Sequence, residues 1–258
     1  MEEKSYQQFI ANIKKTMGID LFLYKEGQMK RRLTSLFMKR GFESFDQYFW
    51  ALKQDQHLKQ EFLDRITINV SQFFRNKNRW DIFEKNILPP LLNKKESLKV
   101  WSAACSSGEE PYTIAMILSK HLPLSKVNIV ATDIDDRMLE KAKTGVYSEL
   151  SLQETSNDMI QKHFTKVEDQ FFIHDDIKKC VEFKKHNLLA DSFEKQVDFL
   201  VCRNVLIYFT EQAKVELYKR FSSSLNKEGI LFVGSTEQIF SPSQYDLHTI
   251  ETFFYQKY

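Results

Sequence analysis

The sequence predicts an α/β protein in which an all-α N-terminal domain precedes a Rossmann-like domain with a small inserted β-subdomain. Residues 1–75 show helical patterns and no sustained alternation of period two. From residue 98 onward, short apolar runs alternate with amphipathic helical patterns, which indicates a parallel sheet covered on both faces. Only 7 of the 258 residues are glycine, which argues against a sandwich or propeller rich in glycine turns.

The first domain, residues 1–75, is predicted to consist of helices. They are expected at about 4–16, 28–39, 44–52 and 56–66. The third begins with a capping box at 44–47, where a serine is followed three residues later by a glutamine. A further helix at about 78–88, stopped by Pro89 and Pro90, belongs with the polar run after it to a linker at 76–97.

The second domain, residues 98–258, is predicted to contain the parallel sheet. Its strands are expected at 98–104, 127–132, 197–202 and 230–234, with helices at about 109–120, 136–143 and 211–225. A last strand, at 252–255, has no helix before it and is expected to enter the sheet antiparallel. At about 145–186 the alternation breaks, and two strands, at 170–173 and 180–183, indicate the inserted β-subdomain.

Composition and charge argue against several classes of protein. No apolar run approaches the ~18–20 residues of a membrane helix and the first residues are not a signal peptide, so we expect a cytoplasmic protein without direct membrane insertion. The 3 cysteines are widely spaced, which argues against a disulfide framework or a four-thiolate zinc site, and we expect no metal. Residues 1–75 hold 13 Lys and Arg against 9 Asp and Glu. This excess suggests an anionic partner but is too small to indicate nucleic acid.

The most informative segment is the predicted strand, loop and helix at 100–111, VWSAACSSGEEP. Its loop of small residues, from Ala104 to Gly108, would let a ligand approach the backbone at a helix N-terminus. The G-x-G-x-x-G pattern is absent, and Glu109 and Glu110 would repel a pyrophosphate but suit a cationic ligand. Alternatively, both acids only complement the helix dipole, a stabilisation of ~0.3–1 kcal/mol. Spacing alone does not decide between these roles.

An acid at the end of the second predicted strand is the next candidate. Asp133 lies 25 residues beyond Gly108, close to the spacing at which an acid binds ribose hydroxyls in nucleoside-binding folds. The alternative role is a helix N-cap, which Asp135 or Asp136 could equally supply. Because Asp133 is still inside the strand, we favour the ligand role.

Three further segments carry weaker signals. Asn187 follows the position where a third parallel strand should end, and its amide could read an adenine edge or simply stabilise a turn. The run that contains Arg203, Asn204 and Tyr208 follows the next strand, on the edge where such folds bind ligands. The ordinary alternatives are a core aromatic for Tyr208 and, for Arg75, a surface ion pair worth under ~1 kcal/mol.

Taken together, five segments resemble the CheR-type chemotaxis receptor methyltransferases. They are TINVSQFFRN (67–76), WSAACSSGEEPYTIA (101–115), ATDID (131–135), NLL (187–189) and CRNVLIYF (202–209), in that order. The resemblance covers nearly the whole chain. It implies a helical N-terminal domain and an S-adenosyl-L-methionine-dependent α/β methyltransferase domain with an inserted β-subdomain. The implied reaction forms methyl esters on glutamates of chemoreceptor cytoplasmic helices and leaves S-adenosyl-L-homocysteine.

The resemblance also implies roles for single residues. Arg75 and Tyr208 would lie nearest the transferred methyl group and are the predicted catalytic residues. Either Glu109 or Glu110 would face the cationic amino-acid end of the cofactor, and Asp133 would hold its ribose. The predicted cofactor-binding residues are Asn69, Ser71, Arg75, Ala104, Glu109, Glu110, Asp133, Asn187, Leu188, Arg203 and Asn204.

The helix at about 28–40 supplies the predicted substrate surface. Its apolar residues share one face, and its basic residues fall mainly on the other. A solvated face is the ordinary alternative. Because the implied substrate is an acidic helical bundle, we predict that the basic face docks the receptor through Lys30, Arg31, Arg32 and Lys39.

Some members of the family bind a tether peptide of the receptor through a glycine-containing turn of the β-subdomain. Here the stretch 164–170 has no glycine, so we expect no tether binding. We also expect a monomer.

Three other functions compete with this interpretation. A dehydrogenase would leave Glu109 and Glu110 unexplained, and the sequence lacks the [DN]-P-P-[YFW] motif of many nucleic-acid methyltransferases. The remaining alternative is a non-catalytic adaptor that senses S-adenosylmethionine and binds receptors without methylating them.

Overall fold

The computed structural model describes residues 2–258, and the side-chain surroundings of residues 4–258. The chain forms two compact units. A helical unit consists of the chain up to Ile68 together with Val205–Leu217, and an α/β unit consists of Asn69–Asn204 and Tyr218–Tyr258. None of the helices in the described part of the chain combines the length and hydrophobicity that crossing a bilayer would require.

The helices and strands follow the predicted alternation closely. The helices are α1 (Glu2–Met17), α2 (Glu26–Lys39), α3 (Phe45–Gln54), α4 (Gln56–Thr67), α5 (Lys77–Ile82), α6 (Leu88–Leu92), α7 (Glu109–Leu118), α8 (Asp136–Thr144), α9 (Asn157–His163), α10 (Asp175–Lys178) and α11 (Glu211–Ser224). The strands are β1 (Leu98–Ala103), β2 (Val127–Asp133), β3 (Val146–Ser148), β4 (Phe164–Val167), β5 (Gln170–Ile173), β6 (Val181–Lys185), β7 (Val197–Cys202), β8 (Leu225–Val233), β9 (Leu247–Glu251) and β10 (Phe254–Lys257).

The helical unit is all-α, as predicted, and is built around aromatic side chains. The Phe45 ring lies 5.0 Å from that of Phe9 and 4.8 Å from that of Phe37, measured between centroids. The predicted N-cap is confirmed, since the Ser44 hydroxyl accepts the Gln47 N–H at 3.2 Å. Aromatic burial of this kind is the main source of stability in a small helical unit.

The segment Val205–Leu217 returns to the helical unit after the chain has formed most of the α/β unit. The Lys25 N–H donates to the Tyr208 carbonyl at 2.9 Å, and the Thr210 N–H donates to the Leu23 carbonyl at 2.9 Å. The ring of Phe209 packs edge-on against Tyr24. Tyr208, which sits in a short 3-10 helix over Leu206–Tyr208, is thus part of the helical unit.

The α/β unit contains the predicted parallel sheet. Its strand order is β6-β2-β1-β7-β8-β10-β9, with the first five strands parallel and β10 antiparallel to both of its neighbours. In the register of the central strands, Ala103 of β1 pairs with Thr132 of β2 and with Cys202 of β7. The carboxyl ends of these strands are therefore level, and the loops that follow them meet at one edge. Parallel α/β sheets bind ligands at this edge.

The inserted β-subdomain is present, but the second strand predicted for it belongs to the large sheet. The small antiparallel sheet has the order β3-β5-β4. The run we predicted at 180–183 as a strand of the insertion is β6, which pairs in parallel with β2 and extends the large sheet. A run of five residues with mixed polarity is compatible with either sheet, and only its distant partner decides.

The predicted helix stop at Pro89 and Pro90 is also wrong. A π-helical turn at Phe83–Ile87 follows α5, and α6 then continues with both prolines in its first turn. Proline is tolerated there because the first N–H groups of a helical segment do not need partners within it.

Candidate active site

The loop after β1 approaches the neighbouring strand end very closely. Ala104, Ser106 and Gly108 take positive φ angles of 61°, 48° and 92°, which cost ~1–2 kcal/mol at each non-glycine position. The Ser106 N–H donates to Asp133 at 2.7 Å. A Cβ on Gly108 would lie 2.8 Å from the Cβ of Ala142, so this position requires glycine. The loop therefore takes the tight course of a ligand-binding turn with a single glycine.

Glu109, the first of the two acids at the start of α7, is a buried carboxylate with hydroxyl partners. Its side chain is 1% exposed. The Ser107 hydroxyl donates to its two oxygens at 2.9 and 2.8 Å, and the Ser71 side chain favours its charged form. Burial raises the pKa of Glu109 above its usual range. Within the described residues no Lys, Arg or His forms an ion pair with it, so its charge is not neutralised.

Glu110 differs from Glu109 in having a charged partner. Its carboxylate, 14% exposed, forms an ion pair with the buried Arg203 guanidinium at 3.3 Å and accepts the Ser102 hydroxyl at 3.0 Å. The same guanidinium lies 4.7 Å from the centre of the Phe232 ring and 5.3 Å from that of Trp80. Two neighbouring glutamates therefore differ in that only Glu110 is neutralised by the protein itself.

Asp133 lies at the carboxyl end of β2 and is 6% exposed. One of its oxygens accepts the Ser106 N–H and the other accepts the Asp135 N–H at 3.0 Å. Burial raises the pKa of Asp133 to about 6. The helix-capping role belongs to Asp135, whose carboxylate accepts the N–H groups of Arg137 and Met138. Asp133 thus fixes the loop after β1 and does not cap α8.

Asn69 connects these two loops. Its side-chain amide donates to Asp135 at 3.0 Å, and its side-chain carbonyl accepts the Ser106 hydroxyl at 3.3 Å. Ser71, two residues further on, favours the charged form of Glu109. The structure therefore brings Asn69 and Ser71 together with the predicted residues after β1 and β2.

Arg75 lies on the same loop, which we call the 69–76 loop. Its guanidinium donates to the Val70 carbonyl at 2.9 Å. Its own carbonyl accepts an N–H of Arg203 at 2.9 Å and the indole N–H of Trp80 at 3.2 Å. Arg203 also donates to the Asn76 side chain at 3.1 Å. Arg203, which directly follows β7, therefore holds the 69–76 loop through both Arg75 and Asn76.

Asn187 and Leu188 follow β6. The Asn187 side-chain carbonyl accepts the Leu189 N–H at 3.0 Å, which is a turn-forming contact. Leu188 is buried, and its carbonyl accepts from Arg220 at 2.9 Å. The structure therefore gives Asn187 the turn role, which leaves the adenine role as a prediction.

Sequence reasoning missed Glu237, which follows β8. It is 5% exposed, and one carboxylate oxygen accepts the N–H groups of Asn204 and Gly234 at 2.7 and 2.8 Å. These bonds hold Asn204 at a φ of 60°. The available signal was a glycine directly after a strand, Gly234, with an acid three residues later.

The remaining predicted residues lie in the helical unit. The Arg32 guanidinium lies 5.3 Å from the centre of the Tyr208 ring, and the Lys30 ammonium lies 5.6 Å from that of Tyr6. Arg31 and Lys39 are exposed. The structure thus joins one predicted docking residue, Arg32, to one predicted catalytic residue, Tyr208.

The described residues contain no group of three or more His, Cys, Asp or Glu side chains arranged to hold a metal ion. Cys105, Cys180 and Cys202 are buried free thiols.

Comparisons with known proteins cover nearly the whole chain. Residues 69–254 match the family model described as CheR methyltransferase, SAM binding domain, and residues 4–67 match CheR methyltransferase, all-alpha domain. A chemotaxis protein methyltransferase of Listeria monocytogenes is 45% identical over 99% of this chain and 98% of that protein. Proteins of the same name from Borreliella burgdorferi and Escherichia coli are 36% and 30% identical, over 90% and 92% of this chain and 87% and 85% of those proteins.

Proposed function

Because this chain belongs to the CheR methyltransferase family, we propose that it transfers a methyl group from S-adenosylmethionine to glutamate side chains of chemoreceptor cytoplasmic helices. The products are glutamate methyl esters and S-adenosylhomocysteine. The cofactor follows from the SAM binding domain. The non-catalytic adaptor is not favoured, because the matched family and the relatives are methyltransferases.

The observation that carries the proposed site is the unneutralised carboxylate of Glu109. A buried carboxylate without a cation is costly, and S-adenosylmethionine brings an α-ammonium group. We assign Glu109 to that ammonium, with the Ser107 hydroxyl holding the carboxylate in place. Glu110 is assigned to structure, because Arg203 already neutralises it.

The other end of the cofactor is assigned to the neighbouring strand ends. Asp133 is placed against the ribose hydroxyls, with its orientation fixed by two backbone N–H groups. Asn69 supports the same corner through Asp135 and Ser106. Asn187 and Leu188 are assigned to the adenine. The cofactor, when bound, supplies a methyl group on a positively charged sulfur.

The chemistry required of this chain is orientation. A glutamate side chain has an ordinary pKa of ~4.3 and is an anion at neutral pH, so it needs no general base. Aligning the reactants and excluding water then supply most of the rate enhancement. Arg75 and Tyr208 are proposed to position the incoming carboxylate rather than to move a proton.

Receptor docking is assigned to the basic residues of α2. Arg31 and Lys39 are exposed, and Lys30 and Arg32 rest on tyrosine rings. The turn between β4 and β5 has Glu168 at a φ of 53°, so the backbone takes a conformation that glycine adopts more easily. The proposal that this turn does not bind a tether peptide rests on the absence of glycine from residues 164–170.

The test uses S-adenosylmethionine labelled in the methyl group, the purified protein and receptor-containing membranes. We expect label on the receptor that mild alkali releases as volatile methanol, since a methyl ester is the alkali-labile product. Alkali-stable label would reject glutamate as the acceptor. Cofactor binding without any label on membranes of several receptor types would favour the adaptor.

A further inference from the structure

The geometry points to Glu154, in the inserted segment between β3 and α9, as a positioning residue for Arg75. This inference rests on the proposed function, in which Arg75 lies beside the transferred methyl group. Glu154 is not itself assigned any contact with the cofactor or the substrate. Its role is to hold the backbone from which the Arg75 side chain extends.

The contact consists of two hydrogen bonds from consecutive residues. One oxygen of the Glu154 carboxylate accepts the Asn76 N–H at 3.2 Å, and the other accepts the Lys77 N–H at 2.9 Å. These are the first N–H groups of α5, which have no partner within the helix. Asn76 stands at the N-cap but forms no side-chain capping bond. Glu154 thus supplies from 77 residues away the cap that the local sequence lacks.

The backbone around Arg75 needs such a tie because it is strained on both sides. Phe74 and Asn76 have φ angles of 53° and 61°, and residues other than glycine keep this conformation only when their surroundings enforce it. The Phe74 N–H is held by the Thr113 hydroxyl at 3.1 Å. On the other side of Arg75, the N–H of Asn76 is held by Glu154.

The inserted segment holds the same loop at a second point. The Phe73 N–H donates to the Ser151 carbonyl at 2.9 Å, and the Phe73 ring packs edge-on against Tyr147 of β3. Residues 147–154 therefore bind the 69–76 loop before and after Arg75. The insertion, besides any role in recognising receptors, then shapes the transfer site.

The consequence is a coupling between Glu154 and Arg75. Misplacing a reacting group by about 1 Å can lower the rate ~100-fold, and removing Glu154 releases one of the ties that fix Asn76. We expect Glu154→Ala to lower kcat about tenfold in the native background. In an Arg75→Ala background the same change should lower kcat less than about twofold, because residues that act through one another are not additive.

The experiment is a double-mutant cycle on Glu154 and Arg75. Glu154→Gln, which keeps one acceptor oxygen, should fall between Glu154→Ala and the native protein and guards against a folding defect. Glu149→Gln is the matched control, since Glu149 is exposed in the same inserted segment, and it should behave as the native protein. Equal losses in both backgrounds, or no loss from Glu154→Ala, would overturn the positioning role.

The same cycle is measured on the Kd of S-adenosylhomocysteine, because Arg75 is also a proposed cofactor contact. This readout needs no receptor, so it separates the two proposals. A coupled cycle in a protein that does not methylate receptor glutamates would reject the proposed function and keep the role of Glu154. Methylation of the receptor, combined with additive effects of the two substitutions, would support the proposed function and reject the role of Glu154.

Discussion

The two units of this protein differ in whether they bury charged side chains. In the helical unit, all fully buried side chains among the described residues are hydrophobic. In the α/β unit, a buried charged side chain lies at the end of each of four strands or in the loop that follows it, and these are Glu109, Asp133, Arg203 and Glu237. Burying charge is costly, and such groups gather where a protein binds or reacts. The contrast therefore distinguishes a unit whose interior is hydrophobic from a sheet edge at which buried charge is concentrated.

The strongest test of this difference removes the arginine of one ion pair in each unit and compares the effects on stability. Arg203→Met leaves the carboxylate of Glu110, only 14% exposed, without its partner, which should lower the free energy of unfolding by ~3–5 kcal/mol. The pair in the helical unit, Arg40 with Glu61 at 2.7 Å, has its Arg40 side chain 51% exposed. Arg40→Met should therefore have an effect near the error of the measurement. Urea unfolding of both variants measures the difference.

A partial rescue completes the test. Adding Glu110→Gln to Arg203→Met removes the unpaired charge, and the double variant should recover part of the lost stability. If the double variant is less stable than Arg203→Met, or if Arg40→Met costs as much as Arg203→Met, the contrast between the units does not hold.

The buried acid of β2 should make stability depend on pH. The pKa of Asp133 is raised to about 6 in the folded protein, against ~3.9 in an unfolded chain. The folded protein therefore binds the proton more tightly. Its extra stability is present below about pH 4 and is lost as the pH rises towards 6, by about 2–3 kcal/mol in total.

The measurement compares unfolding of the native protein with that of Asp133→Asn, which cannot titrate at this position. Between pH 4 and 6, the native protein should lose stability relative to the variant. If the free energies of unfolding of the two proteins change with pH in parallel, or if the native protein gains stability relative to the variant, the pKa of Asp133 is not raised.

Glu109 and Glu110, which are adjacent in α7, allow a buried acid without a charged partner to be compared with one that has such a partner. Glu109→Gln removes the proposed partner of the α-ammonium, and the affinity for S-adenosylmethionine should fall about 10- to 100-fold, as expected for a charged hydrogen bond. Its free energy of unfolding should be equal or higher, because an unneutralised buried charge has been removed. Glu110→Gln should instead lose stability and affect affinity less. Calorimetric titration and urea unfolding measure both, and the reverse pattern would exchange the two roles.

Glu109 and Glu110 also show which features of a site can be predicted from the sequence. Helix and strand periodicities are local, so most helices and the parallel strands were predictable. The choice between Glu109 and Glu110 depends on Arg203, 93 residues later, and on the direction that two successive helical residues face. Glu154 acts on a backbone 77 residues before it, and backbone partners leave no pattern in the sequence. The placement of β6 failed for the same reason, because its partner β2 is distant along the chain.

The smallest expected effect concerns the exposed charges of the helical unit. If these charges serve docking rather than stability, Arg31→Glu should raise the KM for receptor about three- to tenfold, and the increase should shrink at high salt because exposed charges are screened. Neither the affinity for cofactor nor the melting temperature should change. Lys15→Glu is the matched control, since Lys15 is exposed on α1, and it should leave the KM unchanged. Equal increases from both substitutions would mean that the receptor responds to the net charge of the unit, and the basic face of α2 would then have no specific role.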